Sequence, residues 1–123
     1  MDELVAAKTA IKVGPRSRLV LSTPKKCKLK VGSSTQFTFV RMYERDESFE
    51  FTVNKGYYYF DFAKGQEIDV HYDRFEIKGR KTTFSLEDDR GKFSIIVDKG
   101  RVTVTGTGPS PADLSEGDAA VLE

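Results

Sequence analysis

Five aromatic side chains fall within six consecutive residues, Tyr57-Tyr58-Tyr59-Phe60-Asp61-Phe62, directly after Gly56. A strand sends successive side chains to opposite faces, so Tyr58, Phe60 and Phe62 share one face while Tyr57, Tyr59 and Asp61 share the other. So much ring area on both sides fits a central strand whose hydroxyl-bearing face is buried only in part.

Stretches before and after it alternate in the same way. Lys26 to Val31 places Cys27, Leu29 and Val31 inward and sets Lys26, Lys28 and Lys30 in an outward basic row about 14 Å long. Leu19 and Leu21 mark an earlier strand over 18–22, and Gln36 to Tyr43 reads as a long apolar one. Phe49, Phe51 and Val53 alternate with polar residues, and Asn54-Lys55-Gly56 predicts a hairpin turn into the tyrosine strand. Glu67 to Asp73 puts Ile68, Val70 and Tyr72 inward and Glu67, Asp69, His71 and Asp73 outward. The inward parity changes from even to odd at Phe75 and Ile77, which demands a bulge or a very tight turn at Asp73-Arg74. Gly79-Arg80 ends that piece, and three further strands follow at 82–86, 93–97 and 102–104, with Asp98-Lys99-Gly100 as another hairpin signal.

Strands and turns at this spacing predict an all-β antiparallel sandwich or jelly roll of about nine or ten short strands over 17–106, with a closed barrel as the other architecture. Residues 1–16 are expected to form an arm, where Leu4, Ala7 and Ile11 share helical spacing although so short a helix cannot stand alone. Residues 107–123, with Gly108, Pro109, Ser110 and Pro111 followed by small and acidic residues, are expected to be a flexible tail.

Composition excludes several function classes. With 123 residues the chain is long enough to bury one core without disulfides, and nine Phe and five Tyr make that core aromatic. The one cysteine has no intramolecular partner, and the lone Asn54 is no glycosylation acceptor because Lys55 and Gly56 follow it. Both features fit an intracellular or intravirion setting rather than secretion. Met1 to Lys12 has no run long enough for a signal peptide or membrane span.

The charges are segregated along the chain. From Val5 to Tyr43 there are nine basic residues and no acid, so with an overall charge of +1 the remainder carries −8. Such a dipole suits an anionic partner, or one half of the fold neutralising the other.

The residues that could carry chemistry are few. Glu67-Ile68-Asp69-Val70-His71 resembles the E-x-D-x-E signature of the jelly-roll glycoside hydrolases that include laminarinases and xyloglucan-modifying enzymes. In that family the first glutamate is the nucleophile and the last the acid/base, so His71 leaves the mechanism without its proton donor. Asp69-x-His71 could begin a facial triad, but that needs a second histidine, and one Cys with one His is too few soft ligands for zinc. Loose calcium binding by Glu67, Asp69 and Asp73, or by Glu87-Asp88-Asp89, is the remaining metal chemistry. Cys27 points inward as a small hydrophobe. No enzyme activity, resident metal or cofactor is therefore expected.

Binding remains. A basic track and exposed rings are the parts a single-stranded nucleic acid or other polyanion needs. Arg16, Arg18, Lys25, Lys26, Lys28, Lys30 and Arg41 are the candidate track, and Tyr43, Tyr57 and Tyr59 the candidate stacking platform. A self-associating or scaffold-docking assembly protein is the alternative, with basic and acidic faces pairing, and a carbohydrate-binding sandwich the third. Whether the lysine row and the tyrosine face share one surface decides between the first two.

Overall fold

The computed structural model describes residues 4–22, 27–43, 48–106 and 111–122, the side chains of 4–9, 39, 41–43, 63–66 and 89 excepted. The fold is all-β, as the alternation predicts. Among the described residues eleven strands follow in order: β1 (Leu4–Val13), β2 (Leu19–Ser22), β3 (Lys28–Val31), β4 (Thr35–Tyr43), β5 (Ser48–Val53), β6 (Tyr57–Tyr72), β7 (Phe75–Asp89), β8 (Lys92–Lys99), β9 (Arg101–Thr105), β10 (Ala112–Ser115) and β11 (Ala119–Val121).

All eleven belong to one sheet that folds over on itself, and β6 and β7 are the two strands that run through both of its layers. Residues 58–61 of β6 pair with β3, whereas residues 68–71 pair with β5. In β7 the far half pairs with β8 and the near half with β9. The first layer is therefore β2, β3, the start of β6, the end of β7, β8 and β11. The second is β1, β4, β5, the end of β6, the start of β7, β9 and β10. Both long strands bend where they change layer: the β6–β7 register shifts between Phe62 and Glu67, and Lys81 takes a left-handed φ of 54°.

Aromatic rings fill the space between the layers. Phe49 meets Phe62 edge-on at 5.0 Å, Phe51 lies 5.8 Å from Phe60, and Phe37 meets Tyr58 edge-on at 6.0 Å. The inward face of the tyrosine strand thus contacts rings of the opposite layer, as a central strand should. The Tyr58 hydroxyl lies 2.9 Å from the Asn54 carbonyl and 3.1 Å from that of Gln36, and its single hydrogen serves both. Burial pushes this phenol well above its ordinary range. Tyr58→Phe is expected to cost about 1 kcal/mol, read as a lower midpoint in urea at unchanged slope.

Several expectations are corrected by the pairing. The arm is not helical: residues 4–13 form β1, antiparallel to β4, because the free edge of β4 supplies a ladder that an isolated helical turn lacks. Asn54-Lys55-Gly56 does not close a hairpin. It carries the chain from the second layer to the first, and β5 pairs with the far half of β6 in parallel, so the sheet is not purely antiparallel. The physical reason is that β5 and β6 each present a row of buried rings, which bury each other when they face across the core. Asp98-Lys99-Gly100 likewise passes between layers instead of joining paired strands, since β8 and β9 pair with different halves of β7. The pieces split at Lys64-Gly65 and Gly79-Arg80 are single bent strands. The turn at Asp73-Arg74 is the tight one that the parity change requires, with Asp73 at φ 52° between paired Tyr72 and Phe75.

The expected flexible tail also contains strands. β10 pairs with β9 and β11 with β8, and Leu122 is buried with its backbone N–H donating to the Phe93 carbonyl at 2.7 Å. Apolar Leu114 and Leu122 anchor a segment whose composition otherwise reads as solvated.

Candidate functional site

The two layers present chemically different outer faces. On the first layer, register sets Lys30 opposite Tyr59 and Lys28 opposite Asp61. The lysine row and the tyrosine face therefore share one surface, and the Lys30 ammonium sits 5.6 Å from the Tyr59 ring centroid. A groove of about 540 Å³ runs across it, lined among others by Arg18, Lys30, Tyr57, Tyr59, Ile96 and Asp98. Tyr57 and Val20 are each about half exposed, at 53% and 52%. Partial burial first, then the charges of Asp61 and Asp98, push the Tyr59 phenol upward.

This surface is not a basic track. Asp61, Glu87 and Asp98 stand among its cations, and they would repel a phosphate backbone drawn to Lys28 and Lys30. Arg41 and Tyr43 are not part of it, because β4 lies in the second layer, where Arg41 is opposite Glu50 and Tyr43 opposite Ser48. Arg16 occupies the turn before β2 at φ 59°. Lys25 and Lys26 lie outside the described residues.

The second layer carries a denser cluster. His71 Nε2 lies 3.4 Å from Glu50 Oε2, 3.4 Å from Asp69 Oδ1 and 3.6 Å from Glu76 Oε2. Lys78 Nζ is 3.8 Å from Glu76 Oε2, and Arg80 pairs with Glu67. Beside the cluster is a groove of about 570 Å³ lined by Glu50, Glu67, Asp69, Lys78, Arg80 and Arg101 among others. Burial, followed by the hydrogen bond and charge of Glu76, pushes the Asp69 carboxyl up to about 6, while His71 and Lys78 pull the other way.

Alternation along one strand shows Glu67, Asp69 and His71 on a common outward face. It does not show Glu50 and Glu76, which arrive from neighbouring strands. Glu76 could have been found from the tight turn at Asp73-Arg74, which places it opposite His71. Glu50 could not, because its place opposite Asp69 depends on the parallel pairing of β5 with β6.

With this geometry in view, the comparison with protein families is decisive: the family model described as FecR protein matches residues 9–103. The chain belongs to the FecR protein family. The fold of this FecR-family chain is shared with two solved structures of a candidate anti-sigma factor from Parabacteroides distasonis ATCC 8503. One superposes with a TM-score of 0.70 at 15% identity, covering 94% of this chain and 59% of that one. The other gives 0.67 at 16% identity, covering 93% and 59%. The chain thus spans about three fifths of the length of these structures, and at such identity the likeness shows the fold alone. No curated protein matches the chain.

Membership of the FecR family overturns the functional expectations drawn from charge. The polyanion and single-stranded nucleic acid reading, the assembly reading and the carbohydrate reading all give way. The lysine row misled because sequence shows which residues are basic but not which acids the fold sets beside them.

Proposed function

We propose that this FecR-family chain is a non-catalytic regulatory module that acts in sigma-factor control by binding a protein partner. The observation that carries the reading is the family match over 9–103, and the fold shared with a candidate anti-sigma factor supports it.

The outer face of the first layer has the make-up of a protein interface. Exposed Tyr57 and Val20, beside half-buried Ile96, sit within a rim of both charge signs formed by Arg18, Lys30, Glu87 and Asp98. Interfaces enrich aromatic residues and arginine at the centre and keep charge at the rim. A mixed rim also selects a partner by complementary charge rather than by net attraction.

The test is transcriptional. Producing the native chain in the organism that encodes it is expected to change a restricted set of sigma-factor-dependent transcripts, measured by RNA sequencing. The double variant Val20→Ser, Tyr57→Ser, with a native circular dichroism spectrum, is expected to lose that effect, since exposed substitutions move stability by only about 0.5 kcal/mol. A transcriptome unchanged by the native chain would sink the proposal.

A further inference from the structure

We propose, resting on the reading of the first layer's outer face as the partner surface, that its groove receives a protein segment of fixed charge order. That segment is apolar along its middle, acidic on the flank over β2 and β3, and basic on the flank over β7 and β8.

Apolar exposure is confined to this face. Val20, Tyr57 and Val121 are the large apolar side chains exposed among the described residues. Register turns all three outward on the first layer. Val20 lies opposite exposed Lys30 and Tyr57 opposite exposed Glu87, while Val121 follows Ala120, which packs on the core opposite buried Ile95. They reach from one edge strand of the layer, β2, to the other, β11.

Charge around the groove is sorted by sign. Arg18 and Lys30 line it on the side of β2 and β3, Glu87 and Asp98 on the side of β7 and β8, with Tyr57 and Tyr59 between them. Three strand spacings, about 14 Å, separate β3 from β8 across the face. None of the four charges forms an ion pair among the described residues. The second layer does the reverse: His71 stands among three carboxylates, Lys78 lies near Glu76 and Arg80 pairs with Glu67. One face neutralises itself, and the other holds its two signs apart for a complementary surface.

The order of the charges selects the occupant. A polyanion would meet Glu87 and Asp98 at like charge. A second copy, docked about a two-fold axis along the strands midway between β6 and β7, would set Lys30 on Ile96 and Lys28 on Lys99. An axis across the strands through Lys30 would set that lysine on its own counterpart. A different protein, with acid and base about 14 Å apart on either side of an apolar strip, meets each group with its complement.

Charge reversal tests both flanks. In the transcriptional measurement above, Arg18→Glu with Lys30→Glu and, separately, Glu87→Lys with Asp98→Lys are each expected to reduce the native chain's effect at least about tenfold, because like charges then face each other. Lys12→Glu with Arg101→Glu, the same change of net charge on the second layer, should leave the effect intact. Full effect in either groove variant, with a native circular dichroism spectrum, overturns the charge order and leaves the regulatory reading standing, whereas an inactive native chain overturns both. A stronger effect after reversal of the acids alone marks a partner drawn by net positive charge and also overturns the order. So does light scattering from a dimer that either reversal splits, since the occupant is then a second copy. Should a reversal fail to fold, Lys30→Gln and Glu87→Gln decide: a loss in both supports the order, and a loss in one or neither overturns it.

Discussion

Phe60→Ala is expected to lower the unfolding free energy by about 3–5 kcal/mol, the range for truncating a fully buried ring. Phe60 is wholly buried, with its centroid 4.9 Å from Phe84, 5.8 Å from Phe51, 5.9 Å from Tyr58 and 6.4 Å from Phe62. Those neighbours come from three strands in both layers, so the cavity cannot close by moving one element. A domain of this size has about 5–15 kcal/mol in total. The variant should therefore melt about 10–20 °C lower by calorimetry. A loss below about 1 kcal/mol would mean that the layers repack, contrary to the close packing of protein interiors.

Gly100→Ala is expected to cost about 3 kcal/mol or more, although the turn it occupies is exposed. Gly100 has φ +79°, and a Cβ there would lie 2.4 Å from the Lys81 carbonyl oxygen and 3.1 Å from Thr82 Cα. The first term is backbone strain of about 1–2 kcal/mol. The second is a backbone collision that no side-chain rotation relieves, at the point where β7 bends between layers with Lys81 at φ 54°. Thr82 Oγ1 donates to the Lys99 carbonyl at 2.9 Å and holds turn and bend together. Gly91→Ala is the control, since Gly91 has φ +84° but nothing within 4 Å of the added carbon. It should lose only the strain, about 1–2 kcal/mol. Equal losses at the two glycines in denaturant titrations would show that contact with the bend is unimportant.

The contrast between these two glycines shows where sequence reading ends. Both follow a charged residue in a short loop and both read as turn residues. Gly91, with Arg90 at φ 54°, closes the tight hairpin between paired Asp89 and Lys92. Gly100 instead takes the chain across the core, and nothing within 98–100 distinguishes the two cases. Asn54-Lys55-Gly56 misleads in the same way. The carboxylate cluster around His71 was half legible: Asp69 and His71 share a face by alternation, and Glu76 follows from the tight turn, but Glu50 waits on a parallel pairing.

What the chain's own residues determined is local and periodic. The parity of Tyr58, Phe60 and Phe62, of Cys27, Leu29 and Val31, and of Phe93, Ile95 and Val97 dictates buried faces, because a period of two is a property of the extended backbone itself. The parity break at Asp73-Arg74 dictates a tight turn for the same reason. The tertiary structure alone decided which strands are neighbours. It bent β6 and β7 through both layers, drew residues 4–13 and 112–121 into the sheet, and set Asp61, Glu87 and Asp98 beside the lysine row. Those outcomes depend on which buried faces fit against which, a long-range packing energy to which no short stretch of sequence is sensitive.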